Sequence, residues 1–130
     1  MFSLSFKYED QSSRVKDATE KAAFRNFGHA AASIRKDVIS TIEKQAGPSD
    51  PGTPPHTHAG GFLKRAIAYF ADKLGAVVGP LHSVVGESGH AHEFGGYYLG
   101  TQFPERPFMY PALQRAIPRF AEDWKGSIGA

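Results

Sequence analysis

Residues 13–45 carry no proline and repeat apolar side chains at helical spacing, through Val15, Ala18, Ala22, Phe27, Ala30, Ile34, Val38, Thr41 and Ile42. Steps of mostly three to five residues put these on one side of a helix. At about 1.5 Å per residue such a helix is about 45 Å long. That is long beside a chain of 130 residues. Everything else must pack along it, and part of its stripe is expected to meet a neighbouring subunit or element. Gly28 weakens the pattern by about 1 kcal/mol. A break there, giving two ordinary helices, is the alternative. Asp10 or Ser12 is placed to cap the start.

The chain is long enough for one domain with its own core, so residues 1–130 are read as a single unit. Hydrophobic residues make up 41%, which argues against wholesale disorder. No run of about 18 apolar residues occurs, so no transmembrane helix is expected. Residues 1–4 lack the charged start and apolar run of a signal peptide. Cysteine is absent, which excludes disulfides, thiolate metal sites and a cysteine nucleophile. A net charge of +2 is too small to argue for a nucleic-acid partner by itself.

Around the long helix the pattern is mixed. Phe2, Leu4, Phe6 and Tyr8 alternate with polar residues and predict a strand. Residues 47–61 hold four prolines and four glycines and predict a loop, one able to order on docking. Phe62 to Ile67 predicts a helical turn. Residues 67–70 and 76–79, joined by Asp72-Lys73-Leu74-Gly75, predict a β-hairpin. Residues 81–89 read as a second glycine-rich loop, residues 90–94 as one helical turn, and residues 97–99 as a strand.

The segment Glu105-Arg106-Pro107-Phe108-Met109-Tyr110-Pro111-Ala112-Leu113 packs three side chains of distinct chemistry between two prolines. A residue before proline avoids the helical region, so Arg106 and Tyr110 are expected to be extended. A helix is expected to start near Pro111, with Leu113, Ile117, Phe120 and Trp124 on one face, a kink or division at Pro118, and a stop at Gly126. Phe108 is expected to be buried at the corner. Arg106 is expected to be more exposed, paired with a carboxylate. The fold class that results is α+β: a long N-terminal helix and a C-terminal helix packed on a small, mainly antiparallel β-sheet.

Sequence motifs for chemistry are thin. His56 and His58, with His90, His92 and Glu93, place imidazoles two apart in two segments. Extended, two such pairs could build a tetrahedral metal site. On a helix, positions two apart diverge. Surface or interface histidine is the plainer reading, and no metal ligand is assigned. Ser83 and Ser88 lie near His82 and His90, but Gly-x-Ser-x-Gly is absent and no catalytic residue is assigned. The glycines at 75, 79, 86 and 89 lack the Gly-Lys-Ser/Thr step of a phosphate loop. Along the long helix, basic residues alternate with acidic ones, as on a solvated face; contact with DNA phosphates is the functional alternative.

Four segments occur in a characteristic order: Gly61-Phe62-Leu63-Lys64-Arg65-Ala66-Ile67, then Val77-Val78-Gly79-Pro80, then His92-Glu93-Phe94-Gly95-Gly96, then Arg106-Pro107-Phe108-Met109-Tyr110-Pro111-Ala112-Leu113. In order and spacing the chain resembles the tail-completion and head–tail joining proteins of long-tailed double-stranded DNA bacteriophages. Those show a Gly-x-Leu-Arg step, a Val-Gly hairpin end, a Glu-Phe-Gly-Thr step and an Arg-Pro-Phe-Leu-x-Pro-Ala-Leu step. The chain departs at Ala66, where Ser is common, and at Gly96, where Thr is usual. The resemblance implies a structural virion protein of the tail or neck, assembled in host cytoplasm. It implies a homo-oligomeric ring, commonly a hexamer, between the head connector or stopper protein and the tail tube protein, with DNA passing through. It implies no enzymatic activity, no cofactor and no membrane. The residues placed at interfaces or structural corners are Glu93, Phe94, Gly95, Arg106, Pro107, Phe108, Pro111 and Leu113. The alternatives are a small His-rich metal-dependent enzyme and a DNA-backbone-binding module.

Overall fold

The computed structural model of the chain describes residues 2–5 and 10–128. A single helix, α1 (Ser12–Thr41), runs for 30 residues. Asp10 starts it: its Oδ1 accepts the Ser12 N–H at 2.9 Å. This fixes an end where the first N–H groups have no partner within the helix. Gly28 does not break it. A methyl group there would meet nothing within 4 Å, so the glycine is neither a hinge nor a close contact. Ala22, Ala23, Asn26, Ala31, Ile34 and Val38 form the buried side, at helical steps.

Short elements follow: α2 (Phe62–Ala66), β1 (Ile67–Ala71), β2 (Ala76–Pro80), α3 (His82–Val85), α4 (Ser88–Phe94), β3 (Gly96–Tyr98) and β4 (Thr101–Phe103). The last helix is α5 (Met109–Trp124). The expected hairpin is present, with Ile67 opposite Pro80 and Ala71 opposite Ala76. Asp72 closes its turn, Oδ1 accepting from Leu74 N–H at 2.7 Å and Gly75 N–H at 3.1 Å. Arg35 of α1 donates from Nε to the Ile67 carbonyl at 2.8 Å, pinning helix to hairpin. The architecture is α+β. Its antiparallel pairing is divided between two hairpins, β1–β2 and β3–β4, instead of one continuous sheet.

Helices α1 and α5 run antiparallel. Phe27 meets Phe120 and Trp124 at ring separations of 5.5 and 6.0 Å, while Asp37 accepts from Arg115 Nε at 2.8 Å. The core gathers Ile34, Val38 and Ile42 of α1 and its end with Leu63, Ile67, Phe108 and Ala112.

Several expectations are corrected. Residues 2–5 form no strand, and Phe2 and Leu4 are exposed. Alternation alone cannot hold a strand without a neighbour to take its hydrogen bonds. The remainder of that expected strand, residues 6–9, lies outside the described residues. Residues 81–89 are mostly helical. Gly86, at φ +59°, ends α3, its N–H donating to the His82 carbonyl. Gly89 sits in α4 because a Cβ there would come within 2.6 Å of Pro80 Cγ. These glycines serve a helix stop and a close approach, not a flexible loop. The turn expected at residues 90–94 forms the last five residues of α4. The strand near 97–99 acquires a partner, β4, that the sequence reading missed. The loop 47–61 has no helix, but it is tied down. Thr57 N–H donates to the Glu43 carbonyl at 2.8 Å and Gln45 N–H to the Thr57 carbonyl at 3.1 Å.

Candidate functional site: a carboxylate clamp beside an apolar groove

The start of α5 is held by a side chain from another helix. A helix leaves its first four N–H groups without intrahelical partners. In α5 these belong to Phe108, Met109, Tyr110 and Pro111. Glu93, reaching across from α4, accepts the first three. Oε2 takes Phe108 N–H and Met109 N–H, and Oε1 takes Tyr110 N–H, each at 2.9 Å. Pro111 has no N–H to satisfy. One side chain thus satisfies every free N–H at this end. Glu93 is buried, at 9% exposure, and its charge meets the positive end of the helix dipole.

The clamp corrects the expected start of α5. The helix begins at Met109, two residues before Pro111, and Tyr110 is helical although it precedes a proline. That conformation is disfavoured for a pre-proline residue. The three charge-assisted bonds to Glu93 offset it. Pro118 lies inside α5 and does not divide it into two helices.

The arm leading into the corner is held on both sides. Arg106 N–H donates to the His92 carbonyl at 2.6 Å, and Gly52 N–H to the Glu105 carbonyl at 2.8 Å. Gly95, at φ +68°, lets the arm lie close: a Cβ there would be 2.9 Å from the Phe103 carbonyl oxygen and 3.1 Å from Glu105 N. Phe108 is 1% exposed and sits in the core cluster, as its position between two prolines predicts. Arg106 reverses its expectation. It is 8% exposed, and its Nε donates to the Ser49 carbonyl at 2.8 Å instead of pairing with a carboxylate. The acceptor comes from the loop 47–61, far away in sequence, where no spacing rule could point to it. Pro107 and Pro111 are half-buried.

Phe94 and Leu113 lie outside the core, at 63% and 44% exposure. They border an open groove of about 870 Å³ between α1, the first hairpin, α4 and α5. The apolar stripe expected on α5 divides. Phe120 and Trp124 pack against Phe27 and are half-buried, with Phe27 and Phe120 at the edge of the groove, while Leu113 and Ile117 stay exposed along it. Ala112, one position before Leu113, takes the buried place.

The histidines separate as helical geometry requires. His90 stacks beside Phe94 at 4.8 Å and faces the groove. His56, His58 and His92 line a second cleft with Ser49 and Arg106. Among the described residues, no group of three or more His, Cys, Asp or Glu is placed to hold a metal ion. Burial lowers the His92 pKa, with the Arg106 charge and His58 adding to the effect. None of the described helices is long and apolar enough to cross a membrane. Compared with family models, with curated proteins and with solved structures, the chain matches none.

Proposed function

We propose that the chain is a structural subunit of a ring at the head–tail junction of a phage-like particle, joining the head connector to the tail tube and having no catalytic role. The observation that carries this reading is the open side of α5. Its angle is set by three bonds to one buried carboxylate, yet Leu113 and Ile117 are left facing solvent. A fixed helix presenting apolar side chains beside a groove of about 870 Å³ is suited to receiving another copy. Exposed apolar surface of this kind marks interaction sites in soluble proteins. The resemblance in motif order supports the same reading. Its Glu-Phe-Gly and Arg-Pro-Phe steps are the two halves of one clamp, so their joint presence has a mechanical reason. Imaging of assembled particles at moderate resolution tests it. The expected result is a closed ring, sixfold, on the tail axis at the neck. Single copies away from that axis, or absence from the particle, would defeat the proposal.

A further inference from the structure

Arg106 carries a permanent charge and is 8% exposed. Among the described residues its guanidinium has one acceptor, the Ser49 carbonyl. Among the described residues it takes part in no ion pair. A cation withdrawn from water without a counter-charge is costly. Arg106 lines a half-open cleft of about 450 Å³ to which no Asp or Glu among the described residues contributes. That volume lies within the range of small-molecule sites, about 300–1,000 Å³. Two polar atoms in its wall, Ser49 Oγ and His92 Nδ1, are buried without a hydrogen-bond partner. Much of the remaining wall is apolar, with Phe62, Leu63, Val85 and Phe103.

We propose that this cleft binds a carboxylate carried on an apolar or aromatic body, with the Arg106 guanidinium as its counter-charge. The planar fork of arginine matches a carboxylate in a two-point contact. One fixed positive charge balances one carboxylate. The His92 imidazole is held toward its neutral form by burial, by Arg106 and by His58, so near neutral pH it adds no second full charge for a phosphate dianion. The apolar wall favours a ligand with a body over a bare ion.

Calorimetric titration of the whole protein with benzoate, acetate and inorganic phosphate, at constant ionic strength and pH 7.5, tests this. Benzoate is expected to bind more tightly than acetate, and phosphate more weakly than either. Arg106→Lys keeps the charge and loses the fork, and should weaken benzoate about tenfold, a difference of about 1.4 kcal/mol. Arg106 also ties the loop to the arm, so a second variant guards against misfolding. His58→Glu changes an exposed residue and adds a negative charge to the cleft. It should abolish benzoate binding while leaving the helical circular dichroism intact. No benzoate binding by the unmodified protein, phosphate binding tighter than benzoate, or unchanged benzoate affinity in folded His58→Glu would each overturn the proposal.

Discussion

At the scale of single residues, Glu93 and Phe108 fix the corner by different means. Glu93 acts through its charge and two oxygens. Glu93→Gln keeps the shape but offers one acceptor oxygen and turns an amide toward N–H groups. It should lower stability by about 2–3 kcal/mol, the scale of a lost hydrogen bond to a charged group, measured by denaturant unfolding. Phe108 acts through volume. Phe108→Ala should cost about 3–5 kcal/mol, as for other fully buried phenylalanines. An unchanged unfolding midpoint in either variant would remove that residue from the account of the corner. The burial of Phe108 was legible because a large apolar group between prolines has few other places to go. The burial of Arg106 was not, since its acceptor is a backbone carbonyl that any residue at position 49 would supply. Arg106→Ala is therefore expected to act within the subunit itself. It removes the Ser49 tie and should release the loop 47–61, read as faster amide exchange there. His92 gives a pH signature. Its folded pKa lies below the ordinary imidazole value of about 6.5, so the unfolded chain binds the proton more readily. The contribution is complete above about pH 6.5 and is lost as pH falls through the lower folded value. His92→Gln should flatten that part of the stability profile, and an identical profile would show that His92 does not couple folding to pH.

At the scale of elements, legibility followed the range of the interactions. α1 was readable at its start and along its length because helical periodicity and the Asp10 bond to Ser12 N–H are local, although it ends at Thr41, short of the expected residue 45; the β1–β2 hairpin was readable because its turn is closed by Asp72 within four residues. α3 and α4 were not. Their glycines imitate a loop, and the reason for Gly89, the approach of Pro80, comes from another element. The β3–β4 hairpin was half seen, since its turn breaks the usual rule. Both central residues take positive φ, Leu99 at 51° and Gly100 at 76°, the pattern of a two-residue hairpin turn. Glycine suits that conformation; leucine is strained in it, by roughly 1–2 kcal/mol. Leu99 is also exposed, so no packing of the subunit explains it. Leu99→Gly is expected to raise thermal stability, by roughly 0.5–1 kcal/mol after the added freedom of the unfolded chain is discounted. If the strained leucine serves assembly, the same variant will join heads to tails less well. A variant less stable than the parent would show that Leu99 makes favourable contacts within the subunit.

At the scale of the whole molecule, the chain divides its apolar side chains between an interior and an open side. The interior is the cluster around Val38, Ile42 and Phe108; where α1 and α5 meet, Phe27, Phe120 and Trp124 pack on one another and half-cover the end of the groove. The open side begins about two turns earlier on the same helix, where Leu113 and Ile117 border the groove. The sequence showed a single α5 stripe because spacing reports which residues share a face, not what lies opposite that face. The antiparallel placement of α1 and the position of the first hairpin decide where cover ends, and both depend on contacts far apart in sequence. This separation makes a clean prediction possible. Leu113→Glu with Ile117→Glu changes the exposed half of the stripe only. Glutamate is a good helix former, and surface changes away from caps and cores have small effects. Free subunits should therefore unfold within about 1 kcal/mol of the parent. Particle assembly should fail, because two carboxylates would be brought into an apolar contact without partners, and desolvating an unpaired charge is strongly unfavourable. The measurement is unfolding of the purified subunit beside counts of tailed and tailless particles by electron microscopy. Normal joining by a stably folded double variant would show that the open side of α5 is not the assembly surface. Loss of both stability and joining would place Leu113 and Ile117 in the fold instead.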